Sequence, residues 1–200
     1  MNKEWSELNK TMQAQIKKKD TYKMGIDTLF NLRRQLMQTL VSFKEDLCRE
    51  DFNAIPFINA DGYHSKTIAY SIWHIFRIED IVAHTVITED EQVFFTGNYQ
   101  VRINSPIITT GNELVKQQIA DFSKQLNLEE LYSYIFEVRE STEKILERFS
   151  YDELKWKIPD ERKGYLKSLN VVNCDEKAIW LIDYWCSCLL YTSPSPRDPK

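Results

Sequence analysis

Apolar residues between Lys66 and Asp90 recur every three or four positions, and no glycine or proline interrupts them. This spacing predicts one helix over residues 66–87 that is about six turns long and apolar around most of its circumference. Such a helix is typical of the interior of a helical bundle. His74 lies on the same stripe as Ile78 and Ile81, so the sequence predicts that its imidazole points toward the packed interior.

The same spacing predicts the other helices. Asn127 and Glu130 resemble a capping box at the start of one of them. No stretch alternates with the period of two that is typical of a strand, so the sequence predicts an all-α fold. A four-helix bundle is expected from the segments 22–47, 66–87, 128–149 and 175–185. Shorter amphipathic helices are expected within 1–20 and 112–125.

A long connection separates two of these bundle helices. Residues 89–110 are irregular, yet they carry Phe94, Phe95 and Tyr99. A loop this apolar is expected to fold back over one end of the bundle, and long connections of this kind often carry function. The sequence leaves the role of this crossover open.

Composition and charge limit the classes of molecule that this protein is expected to bind. The 200 residues contain 26 Lys and Arg against 30 Asp and Glu, a formal net charge of −4, and basic clusters are lacking. This argues against nucleic acid, whose binding needs concentrated positive charge. The chain has no run of about 20 apolar residues and no apolar core of a secretory signal near its first residue. Its cysteines form neither a disulfide framework nor a CxxC motif, so we expect a cytoplasmic protein.

The last residues differ in character from the rest. Residues 188–198, CLLYTSPSPRD, resemble a translated reading frame of the transposase mosaic end and adapter used in sequencing libraries. We therefore expect native sequence up to about Ser187 and a last helix that is cut short. A natural disordered tail is the alternative. The expected organisation is a lead-in helix at 1–20, an incomplete bundle domain at 21–187 and a non-native tail at 188–200.

The helix that contains His74 also carries a family resemblance. Residues 73–80 read W-H-I-F-R-I-E-D, and they stand between a long helix with its loop and a long crossover followed by two further helices. This order is similar to that of the DinB-like superfamily. The resemblance implies a four-helix bundle with a crossover connection. It also implies that His74 joins an H-x-x-x-H pair on the final helix to hold a divalent metal, nickel or zinc.

The resemblance further implies a thiol-dependent transferase or a hydrolase, with a small thiol or another small molecule as substrate. Apart from the resemblance, a homodimer is among the expected partners. Three imidazoles would fill one face of the metal, which would lower the pKa of a bound water or thiol. No histidine follows His84, however, so the pair would lie beyond the cut helix, and this chain should bind metal weakly. The alternative is a non-catalytic binding or dimerisation module in which His74 is bonded to a carboxylate or a backbone oxygen.

Other candidate residues carry weaker signals, and catalytic and cofactor-binding residues stay unknown. His64 belongs to a turn, and His84 lies about 280° around the helix from His74, too far to share its ligands. Asp80 is expected to pair with Arg77 or Lys66, or to face solvent. Ser71 has no histidine and acid in a recognisable arrangement, so serine-type catalysis has no support from the sequence.

Overall fold

A computed structural model describes residues 3–57, 59, 65–172 and 176–187. The described residues form helices and turns and contain no strand, which confirms the predicted all-α fold. The α-helices are α1 (Lys3–Ile16), α2 (Tyr22–Asp46), α3 (Arg49–Asn53), α4 (Ile68–Asp80), α5 (Val93–Thr96), α6 (Tyr99–Arg102), α7 (Gln117–Gln125), α8 (Leu128–Arg148), α9 (Asp160–Ser168) and α10 (Glu176–Ser187). A π-helix, Ile81–Thr88, continues α4, and 3₁₀ turns occupy Lys19–Thr21 and Asp152–Lys155.

The chain separates into two compact units. The first contains Met1–Cys48 and Glu143–Trp156, and the second contains Arg49–Thr142 and Lys157–Lys200. The predicted division at residues 20 and 187 stays a prediction, and the tail assigned to residues 188–200 lies outside the described residues. None of the helices in the described ranges is long and apolar enough to cross a membrane.

In the first unit, α1 packs closely on α2. A Cβ built on Gly25 would come within 2.6 Å of Ile16 Cγ1 and 2.8 Å of the Ile16 backbone nitrogen, so a glycine is required at this crossing. The Tyr22 hydroxyl donates a hydrogen bond of 3.0 Å to the Phe149 carbonyl, which ties the start of α2 to the segment after α8. The buried residues of α2 are Tyr22, Gly25, Ile26, Leu32, Met37 and Leu40.

In the second unit, α4 begins where the side chain of Thr67 accepts the N–H of Tyr70 at 3.0 Å. The single helix predicted over 66–87 is present, but its last two turns are π-helical. Six consecutive residues in this part, Ile81 to Val86, are buried, so this part of the helix is enclosed around its whole circumference. A π-helix turns less per residue than an α-helix, so the stripe predicted from α-helical spacing does not hold there.

The π-helix, α9 and α10 share one apolar core. Its buried residues are Ile78, Ile81, Val82, Val86, Ile158, Leu166, Val171, Val172, Ile182, Trp185 and Cys186. Pro159 and Gly164 would be expected to interrupt a helix, yet Asp160–Ser168 is helical. Pro159 stands immediately before α9, where its fixed φ favours helix initiation, and Gly164 lies in its exposed middle.

The long connection is packed, as its composition predicts. It contains α5 and α6, and Phe94, Tyr99 and Ile103 in it are at most 2% exposed. The expected start of α8 is also observed, since Asn127 Oδ1 accepts the backbone N–H of Glu130 at 3.4 Å. Residues 111–116 form turns, so the minor helix predicted over 112–125 is shortened to α7.

Candidate functional site

His74, the predicted metal ligand, lies in the middle of α4 and is half-buried. Its Nδ1 is 2.7 Å from the backbone carbonyl oxygen of Thr110. Because a carbonyl can only accept, Nδ1 carries the proton, and in the neutral ring the lone pair lies on Nε2. The imidazole also stacks on the Tyr70 ring, with centroids 5.5 Å apart and planes inclined by 12°.

The turn that contains Thr110 is held against α4 and the chain after α9. The Thr110 N–H donates to the Val171 carbonyl at 2.8 Å, and the Tyr70 hydroxyl donates to the Gly111 carbonyl at 2.9 Å. Gly111 has φ +80°, and a Cβ there would approach the Tyr70 ring to 3.0 Å. Two hydrogen bonds therefore hold the turn whose carbonyl orients His74.

The observed bond is common to both hypotheses for His74. A structural histidine can bond to a backbone oxygen. A histidine that binds a metal through one ring nitrogen uses the same kind of bond at its other nitrogen, which fixes the tautomer and the orientation of the ring. Among the described residues, no group of three or more His, Cys, Asp or Glu side chains could hold a metal ion. His64 lies outside the described residues. The part of the chain that the structure describes therefore supplies His74 but not a complete ligand set.

The Arg and Asp of the W-H-I-F-R-I-E-D segment form a buried ion pair. Arg77 Nη1 lies 3.3 Å from Asp80 Oδ2, and the two side chains are 1% and 0% exposed. This confirms the predicted pairing and rules out a solvent-facing Asp80. The Asp80 carboxylate also accepts the backbone N–H groups of Val93 and Phe94, each at 2.9 Å, and the Tyr134 hydroxyl at 2.9 Å.

This ion pair fastens the crossover to α4. Arg77 Nη2 donates to Gln92 Oε1 at 2.8 Å and to the Ile108 carbonyl at 2.7 Å, while Asp80 binds the start of α5. Burial raises the pKa of Asp80, and the Arg77 guanidinium acts in the opposite direction. Burial also raises the pKa of Tyr134 well above its usual range. Arg77, Asp80 and Tyr134 bond to one another and to the crossover, so we call this cluster a structural clamp.

His84 has an environment that the sequence did not predict. Its Nδ1 lies 2.6 Å from Asp90 Oδ1, and its Nε2 lies 3.0 Å from the Ser141 hydroxyl on α8. Asp80 Oδ1 is 3.9 Å from the same Nε2. The Ser71 hydroxyl donates to the Thr67 carbonyl at 2.7 Å, one turn earlier in the helix.

The sequence could not have placed Ser141 beside His84. The two residues are 57 positions apart, and neither lies in a recognisable motif. The available signal was local: Asp90 follows His84 by six positions at the end of an uninterrupted apolar helix. A cavity of about 680 Å³ borders Asp90, and its other walls include Thr85, Phe95, Arg162 and Tyr165.

Two comparisons with known proteins complete the description of the site. No family model matches this chain, and no curated protein matches it. The resemblance of residues 73–80 to DinB-like proteins, and the activity that it implies, therefore stay a prediction from the sequence.

Proposed function

We propose that this chain is a DinB-like, metal-dependent protein in which His74 supplies one ligand to a nickel or zinc ion through Nε2. The observation that carries the proposal is the 2.7 Å contact between His74 Nδ1 and the Thr110 carbonyl. That bond leaves the ring nitrogen on the other side in the form that ligates metals. The four-helix bundle with a crossover, and a location in the cytoplasm, belong to the same proposal.

The proposal assigns the other ligands to an H-x-x-x-H pair outside the 200-residue sequence, because its three histidines include none after His84. When bound, the ion would activate a water or a thiol as a nucleophile at neutral pH. The chain's own contribution is orientation: Thr110 fixes the rotation of the imidazole, and Tyr70 supports one of its faces. The proposed reaction is a thiol-dependent transfer or a hydrolysis on a small molecule.

A second candidate function is a non-catalytic bundle that dimerises. It is favoured by the exposed aromatic rings of α10, since Trp180 and Tyr184 are 42% and 41% exposed with ring centroids 6.1 Å apart. Adjacent exposed aromatic residues are common at protein interfaces. In this second candidate function, the bond to the Thr110 carbonyl serves only to give the N–H group of the partly buried His74 ring a hydrogen-bond acceptor.

Calorimetric titration with Ni²⁺ and Zn²⁺ tests the metal proposal. The 200-residue chain should bind weakly, and a version extended through its natural C-terminal helix should bind tightly at one ion per chain. His74→Ala in the extended version should abolish tight binding, because one of three imidazole ligands is lost. His84→Gln is the matched control and should bind normally, since its ring is engaged by Asp90 and Ser141.

Two results would overturn the metal proposal. One is tight, stoichiometric binding by the 200-residue chain. The other is binding by the extended chain that is indifferent to His74→Ala. Sedimentation of both versions would then test the dimer, which should weaken when Trp180 is replaced by alanine.

A further inference from the structure

We propose that Asp90, His84 and Ser141 form a hydrogen-bonded relay that makes the Ser141 hydroxyl a nucleophile toward small, activated esters. The three groups come from the π-helix, the turn that follows it and α8. The two heavy-atom distances, 2.6 Å for Asp90 to His84 and 3.0 Å for His84 to Ser141, lie within the range required of an acid, a base and a nucleophile. This activity is separate from the proposed metal site at His74.

The direction of the hydrogen bonds is the one that nucleophile activation needs. An ionised carboxylate only accepts, so the Asp90 contact places the proton of the neutral ring on His84 Nδ1. The lone pair on Nε2 then accepts the Ser141 hydroxyl. In acyl transfer, this tautomer lets the imidazole take the proton from the attacking oxygen, and the carboxylate stabilises the imidazolium that forms.

Neighbouring residues hold His84 and Asp90 in place. His84 is 5% exposed and lies in a π-helix, a local form found frequently at functional sites. The Thr88 hydroxyl donates to Asp90 Oδ1, and the Asp90 backbone N–H donates to the His84 carbonyl at 3.1 Å. Glu89, between them, has φ 59°, and this left-handed residue turns the chain so that Asp90 meets the imidazole.

The reaction balances with water as its only co-reactant. Ser141 Oγ attacks the ester carbonyl carbon, and its proton moves to His84 Nε2. The C–O bond to the leaving group then breaks, and the departing oxygen takes that proton. Water attacks the resulting acyl-serine with His84 again accepting a proton, which releases the acid and restores Ser141.

The position of Ser141 determines the class of ester. It lies within α8, where backbone N–H groups are already bonded to carbonyls one turn earlier, so α8 offers the oxyanion no backbone donor. Weak oxyanion stabilisation restricts the reaction to esters with good leaving groups, such as aryl esters. Ser141 is half-buried and Asp90 is 56% exposed at its side chain, so the relay reaches the surface.

Labelling with a fluorophosphonate probe, with a chelator present throughout, tests the relay apart from the metal site. Intact mass and peptide mapping should find one label per chain, at Ser141, and none after Ser141→Ala. The matched control is Ser133→Ala, which should label normally. Ser133 is exposed on the same helix, and its hydroxyl donates to the Glu129 carbonyl at 3.1 Å rather than to a histidine.

Two further variants separate a relay from a merely structural contact. Asp90→Asn and His84→Gln should each slow labelling by about 10²–10⁴-fold. The exposed Asp90 side chain makes Asp90→Asn usable even where His84→Gln fails to fold. The proposal is overturned if Ser141 remains unlabelled, if Ser133 and Ser141 react equally, or if folded Asp90→Asn labels at the wild-type rate.

Discussion

Replacement of Asp80 by alanine should be among the most damaging single changes to the second unit. The side chain is 0% exposed and lies 3.3 Å from the buried guanidinium of Arg77. Its carboxylate also accepts the N–H groups of Val93 and Phe94 and the hydroxyl of Tyr134. Alanine would leave a buried positive charge without its counter-ion and two amides without their acceptor.

The expected loss can be worked from these contacts. Breaking a buried ion pair by removing one partner costs about 3–5 kcal/mol, and each orphaned buried donor costs about 1–3 kcal/mol. The losses overlap because the groups share one carboxylate, so we expect about 4 kcal/mol in the free energy of unfolding. With a urea m-value of about 2 kcal/mol/M, the unfolding midpoint should fall by about 2 M. Asp80→Asn should cost less, since its one carbonyl oxygen still accepts an amide.

Urea denaturation followed by far-UV circular dichroism measures this loss, and amide hydrogen exchange localises it. Exchange should accelerate first at Val93 and Phe94, whose N–H groups lose their acceptor. Asp121→Ala is the control. The Asp121 carboxylate forms a 4.0 Å pair with Lys124, in which both side chains are more than half exposed, and accepts an exposed hydrogen bond from Gln117 at 3.0 Å, so its loss should change stability by less than about 1 kcal/mol. If Asp80→Ala also loses under about 1 kcal/mol, the Arg77–Asp80 pair is not the clamp described above.

Two other predictions follow from packing and from raised pKa values. Gly25→Ala should destabilise the first unit by about 1–3 kcal/mol, because the new Cβ would meet Ile16 at 2.6 Å. Gly164→Ala should stabilise the protein by about 0.5–1 kcal/mol, because a Cβ at this position has nothing within 4 Å. Equal shifts of the melting temperature in the two variants would contradict this reasoning. Burial raises the pKa of both Tyr99 and Tyr132 from 10.0 to about 12. The preference of the folded state for the protonated hydroxyls therefore adds to the free energy of unfolding fully below pH 10, and this contribution is lost as the pH rises through 12. Alkaline absorbance titration should show tyrosines that ionise near pH 12, and Tyr99→Phe should remove one of them; a titration complete by pH 11 would refute the assignment.

Much of the secondary structure could be read from local chemistry. The three-and-four spacing located the helices that became α2, α4 with its π-helix, and α8, and the cap at Asn127 was correct. The failures have local causes of the same kind. Pro159 and Gly164 would be expected to interrupt a helix. However, Pro159 precedes α9, and an exposed glycine costs a helix only about 1 kcal/mol, which the burial of Leu166 offsets.

The sequence by itself determined that this chain is helical and that its crossover is packed, because both follow from the spacing and the composition of neighbouring residues. It left open whether Asp80 pairs with Arg77, pairs with Lys66 or faces solvent, and the structure decided for Arg77. Only the tertiary structure decided what meets across the chain. The turn at Thr110 reaches His74 from 36 positions away, and Ser141 reaches His84 from 57. Such pairings depend on how helices pack. For His84 they also depend on the π-helix after Asp80, which changes the directions in which its side chains point. Periodicity within one helix contains no information about either, because it specifies which face is apolar and not which partner covers it.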